Sequence, residues 1–290
     1  MIKEKIYSEN NLFIKGNLKF AVIGHIEWMN FLNVDLLPRP GRISHSQESL
    51  EYPAGGGALI AKTLYELNNG EVHFFTSLGN DFYGEKSAQF FIDLGLKLHV
   101  AWRNKPTRRG FSLIDKDKER SITIIGERLS PKYNDNLDWD ILKDMDGIFI
   151  TAGDVNLFKK ARESKVVCTT PRAGIKTIND SGIILDGLIG SNLDPDEKFL
   201  LSDLFYKPRY IIKTEGENGC ISIPGGKFNA IKSKNIVEDS YGCGDSFAAG
   251  ILFGLSSNWS LSKTINLGTL LGRNCVEHFG PYPNISKIIT

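Results

Sequence analysis

The stretch Asp239–Leu255, DSYGCGDSFAAGILFGL, carries the densest set of residues able to do chemistry. Gly242-Cys243-Gly244 must turn the chain sharply, because glycine tolerates positive φ and lets a ligand approach the backbone. Asp245 and Ser246 follow where a helix begins. A helix N-terminus presents unpaired N–H groups and partial positive charge, so bare amides there can hold a phosphate or a developing oxyanion. Asp245 then has two readings. It can cap the helix, as Asp commonly does, or it can serve as a general base aimed at a substrate hydroxyl. The segment is not a Walker A loop, since no Gly-Lys-Ser/Thr is present, and it fails the third-glycine spacing of a dinucleotide fingerprint.

Two further glycine clusters have the same ambiguity. Pro53-Ala54-Gly55-Gly56-Gly57-Ala58 opens a helix. It is either a tight, closely packed loop or a second backbone-lined ligand surface formed by Gly55, Gly56 and Gly57. Thr214-Glu215-Gly216-Glu217-Asn218-Gly219 follows an apolar strand. In doubly wound sheets, ligands sit beyond the carboxyl ends of strands. Without that context the segment is a turn into a hairpin.

Elements able to position these loops can be read along the chain. Lys19–Ile26 is a short Val/Ile-rich run stopped by Gly24, which predicts a buried strand. Gly56–Leu67 has helical apolar spacing. Glu71–Leu78 predicts a strand and Tyr83–Leu94 a helix. From about residue 137 helices (Leu137–Met145, Val155–Glu163, Pro195–Leu204) alternate with strands (Gly147–Thr151, Lys165–Thr169, Gly187–Gly190, Arg209–Thr214). That alternation predicts a doubly wound, mostly parallel α/β sheet with helices on both faces. Cys220–Pro224 and Lys227–Ile231 predict a hairpin, Asn235–Glu238 a strand end, and about 245–255 and 260–279 two closing helices. Extended segments near 33–52 and 97–126 predict a small separate sheet. Residues 1–18, polar and Lys/Asn-rich, read as an N-terminal extension of a domain spanning 19–290.

Composition narrows the partners. The chain has 290 residues, with Lys plus Arg 35 against Asp plus Glu 34, a net charge of +1. Such balance supplies no long-range attraction for nucleic acid or an anionic membrane. No apolar run approaches the roughly 20 residues needed to span a bilayer, and no apolar segment follows Lys3 and Lys5 to make a secretory signal. The four cysteines lie far apart with no CxxC or Cys/His cluster. They predict reduced thiols in a cytoplasmic protein without a structural zinc site.

These clusters, in this order, resemble the ribokinase-like (phosphofructokinase B group) carbohydrate kinases over about residues 19–284. DSYGCGDSFAAG is similar to that family's C-terminal signature, Pro53–Leu67 to its N-terminal Gly-Gly signature, and TSLGNDFYG at 76–84 to a further segment. Thr214-x-Gly-x-x-Gly219 looks like its nucleotide-binding loop. The resemblance implies ATP-dependent phosphorylation of a hydroxyl on a small sugar or sugar derivative. Asp245 would be the base and Gly242, Cys243 and Gly244 the anion hole. Asn192, Thr214, Gly216 and Gly219 would lie along ATP, with Mg²⁺ bridging the phosphates. Asp239 and the Tyr241 carbonyl match a loop that holds K⁺ in many members. The segments at 33–52 and 97–126 would form a lid over the substrate, whose exposed edge could pair two copies into a homodimer.

Departures from the pattern carry information too. The family's Asn-x-x-Glu becomes Asn192-Leu193-Asp194-Pro195, leaving Asp194, Asp196 or Glu197 to supply a carboxylate near Mg²⁺. An Asp and an Asn that usually read sugar hydroxyls appear as Met29 and Leu59, and a sometime Lys as Gly56. Glu27 and Trp28 lie beside Met29. Trp28, Met29 and Leu59 are either core residues or the wall of a partly apolar pocket. The second case favours a ring-bearing acceptor such as a nucleoside. Together with Glu27, Gly55, Gly56 and Gly57, Arg109 is a candidate for the substrate pocket, where it or Arg108 would meet an anionic group. The same departures leave room for a ligand-binding homologue with weak catalysis.

Overall fold

The computed structural model describes residues 15–233, 235–286 and 288–289, so most of the expected N-terminal extension lies outside it. Nine strands form the main sheet. In chain order these are β1 (Phe20–Ile23), β4 (Val72–Gly79), β5 (Lys97–Arg103), β8 (Gly147–Ile150), β9 (Val167–Thr169), β10 (Gly187–Ser191), β11 (Tyr210–Thr214), β12 (Cys220–Ile223) and β13 (Gly226–Phe228). Their order is β13-β12-β11-β10-β9-β8-β1-β4-β5. The seven from β5 to β11 run parallel, and the hairpin β12–β13 adds an antiparallel edge.

All four residues of β1 are buried, because the sheet is covered on both faces. Phe20 and Val22 join the cluster that holds α1 (Gly56–Leu67), α5 (Cys243–Ser256) and α6 (Leu261–Val276). Ala21 and Ile23 face the opposite cluster, which holds α3 (Val155–Ala161) and α4 (Ile175–Ser181). The helix α2 (Phe82–Asp93) starts at Asp81, whose carboxylate accepts from the Gly84 amide.

Four strands form the small sheet in the order β3-β2-β6-β7: β2 (Glu27–Val34), β3 (Ser46–Ala54), β6 (Arg109–Ile114) and β7 (Arg120–Ile125). The chain leaves β1 and enters β2 across Gly24-His25-Ile26, and it returns from β3 directly into α1. Residues at these roots therefore stand between the two sheets.

Several expectations need correction. Lys97–Arg103 belongs to the main sheet, pairing in parallel with β4 from His73 opposite Lys97 to Gly79 opposite Arg103. Its alternating pattern suits an edge strand of either sheet, so alternation could not assign it. Pro195–Leu204 is not a helix but two 3-10 turns, Pro195–Glu197 and Leu201–Asp203. Trp139–Asp144 is likewise a 3-10 turn, and Asn235–Glu238 contains no strand. The four cysteines are free thiols, as expected. Among the described residues, no helix is long and apolar enough to cross a membrane.

Candidate active site

Strand order reverses at β1, which has β4 on one side and β8 on the other. Doubly wound sheets bind ligands at such a point, beyond the carboxyl ends of the strands. A cavity of about 550 Å³ lies there. Its lining comes from just past β1 (His25), β8 (Thr151), β9 (Thr170, Arg172), β10 (Leu193) and β11 (Gly216). The small sheet roofs it with Arg120, Ile122 and Ile124, alternate residues on one face of β7.

Two helix N-termini meet on this cavity. The N-cap of α5 is Gly242, with φ 78°, and no side chain caps it. A Cβ at Gly242 would lie 3.0 Å from Leu59 Cδ2, so position 242 requires glycine for its dihedral as well as its space. The Cys243 amide leans on the Ser240 carbonyl at 3.4 Å. Gly244 and Asp245 have no main-chain acceptor for their amides among the described residues, and both line the cavity. The amides left open at this helix start are thus those of Gly242, Gly244 and Asp245, with that of Cys243 partly committed. α1 likewise starts without a side-chain cap, behind Gly55 at φ 93°. Its first residue, Gly56, is so close that a Cβ there would lie 2.9 Å from Asp245 Oδ1.

Asp245 sits between those two ends, deep among protein atoms yet open to the cavity. It does not cap α5, because the cap position is Gly242. Burial is the main cause that pushes its carboxyl up to about 7, and the Glu197 carboxylate adds to it; Arg172 opposes both. Such a group can be a proton acceptor near neutral pH.

The β1 and lid-root side holds buried polar atoms that make no hydrogen bond within the protein: His25 Nδ1, Glu27 Oε2, Arg108 Nε and Thr151 Oγ1. All four residues line the cavity. Buried polar groups are normally hydrogen-bonded, so orphans converging on one void mark a place for a polar ligand. Arg108 Nε stands 3.1 Å from Glu27 Oε2 as an ion pair without hydrogen-bond alignment. Burial raises the Glu27 carboxyl, against the pull of Arg108 and Arg128. Burial, reinforced by Arg128 and Arg108, lowers His25 well below its ordinary value and keeps the imidazole neutral.

On the opposite side, Arg172 Nε donates to Glu197 Oε1 at 2.8 Å, and its Nη2 pairs with Asp194. Glu197 Oε2 accepts from the Ser191 amide at 2.6 Å. No group of three or more His, Cys, Asp or Glu side chains could cage a metal among the described residues. Magnesium that arrives on phosphates needs only one or two carboxylates. Asp194 and Glu197 are the carboxylates on that side; their oxygens already accept from Arg172 and from the Asp196 and Ser191 amides, so they would meet such an ion through remaining lone pairs or water and do not form a protein-built cage.

A family model described as pfkB family carbohydrate kinase matches residues 17–173 and 200–288. The chain belongs to the pfkB family of carbohydrate kinases. A ribokinase of Lactococcus lactis is 26% identical over 287 residues, covering 93% of this chain and 94% of that protein. Among solved structures, Thermotoga maritima ribokinase shares the fold with TM-score 0.72 at 21% identity, covering 93% of this chain and 98% of that one. Arabidopsis thaliana ribokinase, complexed with ribose and ATP, has TM-score 0.72 at 17% identity, covering 94% and 97%. A Methanocaldococcus jannaschii nucleoside kinase has TM-score 0.66 at 18% identity, covering 92% and 94%.

The residues singled out from the pfkB pattern divide in this structure. Gly55, Gly56, Glu27, Thr214, Gly216, Asp194, Gly242, Gly244 and Asp245 line the cavity. Gly57 instead abuts the His25 and Gly24 backbone, and Gly219 abuts Phe228 and Ala230. Asn192 stands beside the cavity and donates to Glu215 Oε1 at 2.9 Å.

Met29 and Leu59 are not pocket walls. Both are buried in a cluster with Phe31, Ala54 and Tyr241, where the Tyr241 ring packs edge-on to Phe31 at 4.9 Å. Trp28 and Arg109, register partners on β2 and β6, lie against Tyr83, outside the cavity lining. The cationic residue that reaches the cavity is Arg108. An apolar acceptor wall at 28, 29 and 59 is therefore replaced by polar His25, Glu27, Arg108 and Thr151.

The Asp239 carboxylate, matched to a monovalent-cation loop, accepts from the Tyr241 amide at 2.9 Å and faces the Arg120 guanidinium at 3.8 Å. The Tyr241 carbonyl accepts from the Cys275 thiol at 3.1 Å. These donors are already engaged by the chain and do not fit a cradle for K⁺.

Arg120, Arg128 and Arg172 line the cavity and escaped the motif comparison. Arg172 follows β9, and its place past a parallel strand end was a usable signal. Arg120 shares the inward alternation of β7. Arg128 sits in an irregular loop and had none. Asp154 caps α3, accepting from the Asn156 and Leu157 amides.

Proposed function

We propose that this chain phosphorylates a hydroxyl of a small sugar-like acceptor with ATP, using Asp245 as the general base. The observation carrying this reading is the meeting of Asp245 with the bare amides of the α5 N-terminus on one cavity at the sheet's switch point. The acceptor oxygen attacks the γ-phosphorus, its proton passes to Asp245, and the bond from phosphorus to the ADP oxygen breaks. Amides at Gly242, Gly244 and Asp245 meet charge on the transferring group. Thr214 and Gly216 lie where the rest of the nucleotide would run. Magnesium would neutralise phosphate charge when bound, and Asp194 and Glu197 are the carboxylates placed to hold it, directly or through water.

Orphaned polar atoms on His25, Glu27, Arg108 and Thr151 favour a hydroxyl-bearing acceptor over a base stacked on apolar residues. A site built to hydrogen-bond hydroxyls rejects analogues lacking them. ADP release measured with ATP, Mg²⁺ and a panel of sugars, sugar derivatives and nucleosides tests the reading. A sugar-type acceptor should drive ADP release well above the acceptor-free rate. Acceptors that bind and stabilise the protein without any ADP release would instead make it a binding protein.

A further inference from the structure

We infer that the acceptor is acidic: a polyol bearing a carboxylate or phosphate group, held by the guanidinium pair Arg108 and Arg128. This rests on the kinase reading above and names its substrate class.

Four arginines line the cavity: Arg108, Arg120, Arg128 and Arg172. Three of them face carboxylates of the chain. Arg172 pairs with Asp194 and Glu197, Arg120 approaches Asp239, and Arg108 pairs with Glu27. Arg128 is half-buried and has neither an ion pair nor a hydrogen bond with any described residue. Desolvation already disfavours its charge, and Arg108 and Arg172 repel it; only Glu27 attracts it. A guanidinium kept at a cavity wall under those conditions is costly unless a ligand supplies the counter-charge.

The position of Arg128 says which ligand that is. Gly126, just past β7, lies against Arg108, where a Cβ would stand 3.9 Å from Arg108 Cα, so the loop that carries Arg128 into the cavity runs beside Arg108 on the β1 and lid-root side; the charges of both arginines act on His25 and Glu27. Phosphates of ATP belong at the other side, where the α5 amides, Thr214 and Gly216 lie. With His25 neutral, Arg108 and Arg128 stand at this half of the cavity with Glu27, which Arg108 already engages, while Asp245 faces the reacting hydroxyl. An anionic group on the acceptor would give Arg128 the partner that the chain does not supply. Arg suits either a carboxylate or a phosphate, since its planar fork donates two parallel bonds to both. The acceptor's hydroxyls would then meet His25 Nδ1 and Thr151 Oγ1, which have no hydrogen-bond partner in the protein, and Glu27 Oε2, which is held only by its ion pair with Arg108.

The test is a set of matched acceptors: neutral hexoses and pentoses, the corresponding aldonic and uronic acids, and the corresponding monophosphates. Turnover is read as ADP release and binding as thermal stabilisation. One acidic arm should exceed its neutral partners by about 100-fold in kcat/KM, and the winning arm tells carboxylate from phosphate. Arg128→Gln should raise KM for that acid by roughly 10–100-fold and leave KM for ATP within about twofold, with partial rescue in Arg128→Lys. A neutral acceptor outperforming its acids overturns the inference. So does Arg128→Gln acting on KM for ATP, or an acidic set that neither binds nor turns over. Failure of the kinase reading looks different: acidic acceptor and ADP both bind, yet no acceptor releases ADP from ATP.

Discussion

Replacing Asp245 by Asn should make the ligand-free protein more stable at neutral and alkaline pH while removing its activity. The folded-state carboxyl is pushed from 3.8 to about 7, mainly by burial. Between pH about 4 and 7 the folded state therefore keeps a proton that the unfolded chain has released, and stability falls as pH rises through that window. Above pH 7 the ionised group costs the full difference. About 3 units at 1.36 kcal/mol each set a ceiling near 4 kcal/mol, and water in the cavity lowers this to about 1–3 kcal/mol. The asparagine side chain has nearly the same shape as the aspartate and no charge, so the substitution recovers that amount and leaves no void. For a chain of this size the gain corresponds to a Tm increase of about 2–5 °C at pH 8. It should shrink to near zero by about pH 4, below which both side chains are neutral in both states. Thermal melts of both proteins from pH 4.5 to 8.5, without nucleotide, measure it. An Asn variant no more stable than wild type at pH 8, or a gap independent of pH, would refute the claim that burial strains this carboxylate.

Three further outcomes follow from the same site. The kcat/KM for the acceptor should rise with pH through about 7 and then level, because only ionised Asp245 takes the hydroxyl proton; a profile flat from pH 5.5 to 8 contradicts that role. Gly242→Ala puts a Cβ on a residue at φ 78° and 3.0 Å from Leu59. It should cost about 1–2 kcal/mol of stability in denaturant melts and lower kcat by about 100-fold or more, as the amides lose their aim. Exchanging K⁺ for Na⁺ or tetramethylammonium at constant ionic strength should leave the rate within about twofold, since Arg120 and the Cys275 thiol already engage Asp239 and the Tyr241 carbonyl; a large dependence on K⁺ would show that these contacts yield to the ion.

The site was legible in the sequence where it is local. Gly242, Gly244 and Asp245 are near neighbours in the chain, and a turn followed by a helix start states its own geometry. The parallel sheet was legible because helices alternate with apolar strands from residue 137 onward. What the sequence hid is whatever tertiary packing decides. Met29 lies on the same face of β2 as Glu27, yet Tyr241 and Leu59 fill the space in front of it, so a residue matched to a sugar-reading position became core. Arg109 and Arg108 are consecutive, but Arg109 folds over the Tyr83 ring while Arg108 enters the cavity. Arg128 reaches the cavity from an irregular loop after β7, where no periodicity indicates direction. Lys97–Arg103 alternates as well for one sheet as for the other, and pairing alone assigned it to β4.

The most direct test of the central claim compares phosphoryl transfer with nucleotide binding in Asp245→Asn. With the acceptor that the wild type uses, kcat should fall by about 1,000-fold or more, while the calorimetric Kd for ADP stays within about threefold. Transfer continuing near the wild-type rate would contradict the account, since the proton of the attacking hydroxyl would then be leaving without this carboxylate.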